Sequence, residues 1–393
     1  MSFVHLVYNK GPRLKTPERI THELAERLGR RYSLQTYDPN EVGTVQPEPG
    51  DILIGHPSRY GRAGIFERSF ERAGWAKRIV FCPFSHEMPL DAAMIDPLVE
   101  RADRYLALCG PYWYDTAPRS LVSHWTHKMM RCDLGVNRDD YPVVKGAFNP
   151  SGKRRFVYIG NAGPMKGVDF FCRLAEANPQ LQFGWIGWIG DHMRPPGTRL
   201  SVYRALEKRL QGPNITVHDG QDWRARRAVE IASTYDFLVT CGRSDSNPTT
   251  ILESASWGLL PVATAQCGYY PEDWLVPIPL DDVAGASLVL QHLNDCPESE
   301  LVSRREACFR KLDGYFTWDH AAEQVVECIE AKTPVEPDDP AWRERKRRNQ
   351  RRLRAMRRRY RIEQLLETMR ARARRLGKRV FRKVSPGLPS PPA

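Results

Sequence analysis

The chain alternates short apolar runs, many of them ending in Gly or Pro, with segments of helical length. Near-continuous apolar strands that alternate with helices are typical of a parallel sheet covered by helices on both faces. The pattern therefore predicts a Rossmann-like α/β domain over residues 1–150. The predicted strands are 3–8, 51–57, 78–83 and 104–110, and the predicted helices are 17–28, 65–73 and 92–101.

The same alternation begins again after residue 150, so the sequence predicts a second α/β domain over residues 151–333. Residues 145–153 are rich in Gly, Pro, Ser and Lys and are interpreted as an interdomain linker. A chain of 393 residues is long enough for two such domains and a tail. The predicted strands of the second domain are 155–160, 183–187, 215–220 and 237–240, and its helices include 168–177 and 225–232.

Residues 238–265 are predicted to form a strand, a polar loop, a helix and a second strand. Asn247 is a good N-cap, Pro248 suits the first helical position, and Gly258 suits the end of the helix. The backbone amides of Thr249 and Thr250 would then point out of the helix N-terminus. Because helix N-termini bind anions, this position is a candidate phosphate site.

Two carboxylates flank this helix start: Asp245 in the loop and Glu253 one turn into the helix. They frame the candidate phosphate site. The alternative interpretation is an ordinary strand–loop–helix unit with solvent-exposed acidic residues.

The stretch resembles the signature of the retaining family-four glycosyltransferases, in which two Glu residues separated by seven positions lie in a Glu-Gly-x-Pro-x-x-x-Leu-Glu-Ala context. Asp245 and Glu253 keep that spacing, and Pro248 and Leu252 keep the context. Residues 258–262 match the Gly-x-Pro-Val-type segment that follows. The chain departs from the signature at Asp245, Ser246 and Asn247.

The resemblance implies a GT-B fold, which is two Rossmann-like doubly wound parallel-sheet domains with the active site in the cleft between them. It also implies that a final helix, here 318–331, crosses back to the first domain. By resemblance, Glu253 holds the ribose of a nucleotide-sugar donor and Asp245 holds the transferred sugar. Retaining enzymes of this type need no protein nucleophile, because the departing phosphate takes the proton of the acceptor.

Residues 160–169 resemble the Gly-Arg-x-x-x-x-Lys-Gly loop of the same family. By resemblance, Lys166 neutralises the donor diphosphate as a point charge and Gly160 begins the loop. The Arg of the family pattern is replaced here by Asn161, which leaves fewer positive charges for the pyrophosphate.

Four further positions are candidates by resemblance, and three of them have a plain structural alternative. His86 would touch the donor sugar near its anomeric centre, or else be a surface histidine at a strand end. Gly187 would belong to the Gly-x-Gly turn of the family, or else close a strand. The backbone around His218 would lie against the nucleobase, and Gly11 would let the backbone approach the phosphates or serve as a turn glycine.

Neither a metal site nor a cofactor is predicted beyond the nucleotide-sugar co-substrate. The nine cysteines are scattered and include no Cys-x-x-Cys pair, which argues against zinc and against a disulfide framework. No Asp-x-Asp pair stands at a strand end. Scattered cysteines, no leader-like N-terminus and no long apolar run lead us to expect a cytoplasmic protein.

The positive charge of the chain belongs to its C-terminal tail, predicted as residues 334–393. Residues 341–383 hold 20 Lys and Arg against three Glu, a net charge of +17, so the rest carries −5 of the total +12. Positions 362, 366, 369, 373, 376 and 380 form an apolar stripe at helical spacing among the arginines. This combination favours an anionic membrane surface, on which the protein would be peripheral, and leaves a helical partner or nucleic acid as alternatives.

The sequence thus predicts a retaining glycosyltransferase whose acceptor is a sugar, a lipid-linked sugar or a polysaccharide. Two alternatives remain open at this stage. One is a sugar-nucleotide epimerase on the same fold. The other is a degenerate transferase body that acts as a scaffold, for which Asn161 and Asp245 are the supporting departures.

Overall fold

A computed structural model describes residues 3–11, 16–58, 64–160, 163–187, 200–219 and 226–384. Within these residues the first domain is built on a six-stranded parallel sheet in the order β2-β1-β3-β4-β5-β6. Its strands are β1 (Phe3–Val7), β2 (Ser33–Tyr37), β3 (Ile52–Gly55), β4 (Lys77–Pro83), β5 (Arg104–Leu108) and β6 (Met129–Cys132). Its helices are α1 (Thr16–Leu28), α2 (Ile65–Phe70), α3 (Pro89–Arg101) and α4 (Pro111–Thr116).

The second domain is built on another six-stranded parallel sheet, in the order β12-β11-β10-β7-β8-β9. Its strands are β7 (Arg155–Ile159), β8 (Gln182–Gly187), β9 (Ile215–Asp219), β10 (Phe237–Thr240), β11 (Leu260–Ala263) and β12 (Val276–Pro277). Its helices are α5 (Val168–Ala177), α6 (Leu200–Leu210), α7 (Arg226–Ala232), α8 (Thr249–Ser256), α9 (Val283–Asp295) and α10 (Glu298–Gly314). The predicted fold class is confirmed: two doubly wound α/β domains followed by a basic helix.

Two strands of the first sheet, β2 and β6, were not predicted from the sequence. Both lie at edges of the sheet, where one side of the strand is unpaired and more of it faces water. β2 has the sequence SLQTY and no buried residue, so it lacks the continuous apolar run by which the central strands are recognised.

After α10 the chain returns to the first domain as α11 (Trp318–Glu330). Trp318 and Val325 are buried in one cluster with Val4 and Leu106 of the first sheet. The Thr317 side chain caps the helix by accepting a hydrogen bond from the His320 amide at 3.1 Å. α11 therefore packs against the sheet of the first domain.

The predicted linker, 145–153, is fixed to the second domain by a buried ion pair. Lys145 Nζ lies 3.0 Å from Asp236 Oδ1, and the two side chains are 5% and 0% exposed. The Asn149 amide donates to the same carboxylate at 2.8 Å. Burial of a charged pair costs desolvation that only good geometry offsets, so this segment holds one defined path between the domains.

The last helix, α12 (Pro340–Val384), begins as part of the first domain. Trp342, Asn349 and Leu353 are buried, and Leu353 belongs to the cluster under α3. Asn349 Nδ2 donates to Ser123 Oγ at 3.1 Å, and Lys346 Nζ lies 2.9 Å from Glu100 Oε2. The stripe at 342, 346, 349 and 353 has helical spacing and faces the domain. Among the described residues, none of the helices is both long and apolar enough to span a bilayer.

Leu353→Ala should destabilise the first domain, because it leaves a cavity where a fully buried side chain packs. We expect the free energy of unfolding to fall by about 2–5 kcal/mol. Leu365→Ala, twelve residues later on the same helix, removes a side chain that is 65% exposed and should change it by less than about 0.5 kcal/mol. Urea titration of both variants measures the difference, and equal losses would contradict the docking of this half of α12.

Candidate active site

A cavity of about 450 Å³ lies between the two domains. Its walls include Pro83 and Leu108 at the ends of β4 and β5, and Ile159 and Thr240 at the ends of β7 and β10. The carboxyl ends of parallel strands are where open α/β sheets bind ligands. Both sheets present these ends to the same cavity, so the topology alone marks it as the candidate site.

The N-terminus of α8 borders this cavity, and Thr249 and Thr250 line its wall. The predicted cap was wrong by one residue. Pro248 has φ −69° and ψ 112°, which is extended backbone, so it occupies the N-cap position and Thr249 begins the helix. Asn247 instead accepts a short hydrogen bond from the Tyr269 hydroxyl and is held away from the helix amides. Gly258, with φ +95°, follows the end of the helix as predicted.

Lys166 and Asp245 meet in the cavity wall as a close ion pair. The lysine is positioned by Gly167, whose φ of +70° and whose approach to the Cys241 carbonyl exclude a side chain. Burial lowers the pKa of Lys166, but the adjacent carboxylate outweighs that effect and the pKa is raised. Lys166 is therefore cationic at neutral pH. Its side chain remains 36% exposed, against 13% for Asp245.

Glu253 lies behind the wall and is closed off from solvent. Arg19 Nη1 of α1 donates to Glu253 Oε1 at 2.8 Å, and the Tyr141 hydroxyl donates to the same oxygen at 3.0 Å. The side chains of Arg19 and Glu253 are 6% and 1% exposed. A ribose diol can reach this carboxylate only after these partners have moved. Sequence reasoning missed Arg19, because nothing in an amphipathic helix tells which charged residue at its edge faces another domain.

The loop that carries Asp245 is clamped by the first domain. Gly110 N donates to the Ser246 carbonyl at 2.8 Å, and Trp113 Nε1 donates to the Asp245 carbonyl at 2.8 Å. A Cβ on Gly110 would lie 2.1 Å from the Gly268 carbonyl oxygen, so only glycine allows this approach. Ser85 Oγ and Ser244 Oγ lie 2.5 Å apart.

His86 lies next to this clamp. Its Nε2 is 2.8 Å from Thr116 Oγ1, and its ring meets Trp113 edge-on with centroids 4.9 Å apart. Burial lowers its pKa, so the ring is neutral near pH 7. Trp113 connects His86 to the Asp245 loop, because its ring contacts His86 and its Nε1 donates to the Asp245 carbonyl. The predicted touch on the donor sugar therefore stays a prediction.

The glycines at the ends of β7 and β8 fit together closely. Gly160 has φ +148°, and its amide donates to the Ile186 carbonyl at 3.0 Å. A Cβ on Gly187 would lie 2.0 Å from the Gly160 carbonyl oxygen. Gly160 borders the cavity, whereas Gly187 is required by strand packing whatever else it does.

Two of the described positions, His218 and Gly11, are not among the residues that line the cavity. His218 Nε2 lies 3.1 Å from the Tyr235 hydroxyl, and burial, with a smaller effect of Arg155, lowers its pKa. Gly11 is exposed, and its carbonyl lies 3.3 Å from His22 Nε2. Asn161 lies outside the described residues, as do most of the Gly187–Asp191 turn and residue 220.

Two groups of potential metal ligands occur in the described part of the chain, and neither belongs to the cavity wall. Asp96, Glu100 and His124 lie under α12, where Lys346 pairs with Glu100. The second group is His292, Cys296 and Glu300. Lys346 already supplies positive charge to the group of Asp96, Glu100 and His124.

Several solved structures superpose on both domains of this chain. Sucrose-phosphate synthase from Thermosynechococcus elongatus superposes with a TM-score of 0.61 at 12% identity, over 84% of this chain and 98% of that one. A glycosyltransferase from Rickettsia africae gives 0.58 at 11% identity, over 84% and 99%. The catalytic domain of starch synthase IV from Arabidopsis thaliana, bound to ADP and acarbose, gives 0.58 at 10%, over 83% and 98%.

This chain has the GT-B fold. Neither a protein-family model nor a curated protein sequence matches it. At identities of 10–12% the likeness to these structures establishes the shared fold, and the chemistry has to be argued from the residues of this GT-B chain itself.

Glu253→Gln should lower stability, because it leaves the Arg19 guanidinium buried without a counter-charge. We expect a loss of about 3–5 kcal/mol in the free energy of unfolding. The double variant Arg19→Gln/Glu253→Gln should lose less than the sum of the two single variants, because it removes both charges together. Chemical denaturation of the four proteins gives the coupling energy, and strict additivity would mean that the pair contributes nothing.

Proposed function

We propose that the protein is a glycosyltransferase that moves a sugar from a nucleotide-sugar donor to a sugar-containing acceptor with retention of configuration. The observation that carries the proposal is the Lys166–Asp245 pair. It lies beside the N-terminus of α8, in the wall of the cavity between the two Rossmann-like domains. A cation, helix amides and a carboxylate are the groups that a diphosphate joined to a sugar requires.

The cavity suits a bound small molecule. Its volume of about 450 Å³ falls within the roughly 300–1,000 Å³ of ligand pockets. Tyr8, Ile20 and Leu134 provide apolar wall, and the polar groups are concentrated on the side of α8. This division supports a donor whose phosphates face α8.

In the proposed reaction the donor diphosphate replaces Asp245 as the ion-pair partner of Lys166. Asp245 is then free to accept hydrogen bonds from the hydroxyls of the sugar. The bond from the anomeric carbon to the phosphate oxygen breaks, and a bond to the acceptor oxygen forms on the same face. The acceptor proton passes to the departing phosphate, and a nucleoside diphosphate leaves. Lys166 and the α8 amides stabilise the charge that develops on it.

Glu253 joins the proposed site only if Arg19 and Tyr141 release it. Those partners belong to α1 and to the segment after β6, whereas Glu253 belongs to α8. A relative movement of the domains would take Arg19 away from Glu253, whereas Tyr141 packs against Trp257 in the core of the second domain and would have to turn aside separately. We therefore propose that ribose binding at Glu253 accompanies opening of the interface and displacement of the Tyr141 hydroxyl.

One alternative has a specific observation in its favour. Both signature carboxylates are held in ion pairs, Asp245 with Lys166 and Glu253 with Arg19. A body that no longer binds donors could keep such pairs for stability alone. This observation favours a non-catalytic scaffold as the second candidate function.

Lys166→Ala tests the proposal. Because Lys166 would contact the diphosphate as a charge, its loss should weaken nucleoside-diphosphate binding by about 10- to 100-fold, as for hydrogen bonds to charged groups. Calorimetric titration with UDP, GDP and ADP measures this, and a screen of their glucose and mannose conjugates for hydrolysis identifies the donor. Lys153→Ala, at an exposed lysine before β7, is the matched control and should bind as the unmodified chain does.

The outcomes separate the two candidate functions. Binding that Lys166→Ala weakens and Lys153→Ala does not supports the transferase. No binding of any of the three nucleotides, in a protein that unfolds cooperatively, supports the scaffold. Equal binding by both variants would remove Lys166 from the site.

A further inference from the structure

The two halves of α12 have opposite surroundings. In the first half, buried positions recur at 342, 349 and 353, with Lys346 partly buried between them. From residue 361 onward every side chain whose exposure is described, namely 361–366 and 369, is exposed. Leu365 and Met369 are each 65% exposed, and Ile362 and Leu366 are 48% and 45% exposed. The outer half of the helix therefore carries large apolar side chains in solvent.

The exposed apolar residues lie on the opposite side of the helix from the docked stripe. Leu353, fully buried against the first domain, and Ile362 are nine positions apart, which at 3.6 residues per turn is about two and a half turns. A straight helix that docks through Leu353 thus turns Ile362, Leu366 and Met369 away from the body. The apolar spacing continues in the sequence to Val380.

The charges of this outer half are nearly all positive. Residues 357–384 contain 12 Lys and Arg against two Glu, a net charge of +10, whereas the chain outside 341–383 carries −5. The segment rises about 1.5 Å per residue and so extends over roughly 40 Å. A long helix with an apolar stripe beside dense positive charge has the two features by which amphipathic helices bind the plane of a membrane.

We propose that the outer half of α12 docks on an anionic lipid surface, with Ile362, Leu365, Leu366 and Met369 entering the interface and the arginines contacting phosphate head groups. The apolar stripe decides against nucleic acid, because phosphate backbones offer it no apolar surface. The positive charge of the helix argues against a second copy of the chain as the partner. Two such helices side by side would bring rows of like charge together and repel each other. A bilayer with acidic head groups satisfies both features at once.

The experiment uses the full chain and vesicles of equal parts phosphatidylcholine and phosphatidylglycerol, with pure phosphatidylcholine as the neutral comparison. The test variant is Leu365→Ser/Leu366→Ser/Met369→Ser. The matched control is Val42→Ser/Leu288→Ser/Val335→Ser, which changes three apolar side chains that are 94%, 69% and 88% exposed elsewhere. All six positions are solvent-exposed, so both variants should fold like the unmodified chain.

We expect the unmodified chain and the control variant to cosediment with the acidic vesicles and to ignore the neutral ones. The test variant should bind at least about tenfold more weakly, because its apolar insertion is lost. High salt should release the test variant fully, since only screened charge would hold it over a Debye length of about 8 Å at physiological ionic strength. The unmodified chain should be released only in part.

Three results would overturn the proposal. In the first, the unmodified chain ignores acidic vesicles. In the second, the test variant binds them as tightly as the control variant, which would exclude the apolar stripe. In the third, light scattering shows a dimer that the test variant loses while vesicle binding is weak, which would assign the stripe to a second copy. If the first result is accompanied by equal binding of both variants to duplex DNA, the segment is a nucleic-acid-binding arm. None of these readouts depends on sugar transfer.

Discussion

The buried ion pair between Arg19 and Glu253 fixes how the two domains meet. It joins α1 of the first domain to α8 of the second, and Tyr141 adds a hydrogen bond to the same carboxylate oxygen. Separating buried charges leaves each without compensation, so the contact favours one arrangement of the domains over any slightly displaced one. The cavity wall depends on that arrangement, because α1 contributes Thr16 and Ile20, and α8 contributes Thr249 and Thr250. The ion pair thus shapes the candidate site while keeping one of its predicted carboxylates occupied.

Much of the fold could be predicted from the sequence because central parallel strands are buried on both faces and therefore appear as unbroken apolar runs. The runs at β3, β4 and β10 are of this kind, whereas the half-exposed edge strand β2 gave no such signal. Within the site, Lys166 and Asp245 were named by their resemblance to two family motifs, and the structure brings them together as an ion pair in the cavity wall. Only the helix start and end near Pro248 and Gly258 follow from local residue types.

Side-chain pairs across the domain interface could not be predicted from the sequence. Arg19 and Glu253 are 234 positions apart, and nothing local to either residue names the other. The same holds for α12, whose composition dominated the sequence interpretation. Its high charge obscured the stripe that includes Trp342 and Leu353, which ties the first half of the helix to α3. A segment that appears by composition to be a tail is thus half a structural helix of the first domain and half a projecting one.

The contact between Gly110 and Gly268 has a mechanical consequence. There the domains touch backbone to backbone, and Gly110 N–Ser246 O and Tyr112 N–Gly268 O form two parallel main-chain hydrogen bonds at 2.8 Å and 3.0 Å. Main-chain groups have no rotamers, so these two bonds define one alignment of the domains at this contact. The two glycines act as a stop against further closure, since van der Waals contact leaves no room to advance. The closest approach of the domains at this contact is therefore limited by the main chain and not by a side chain.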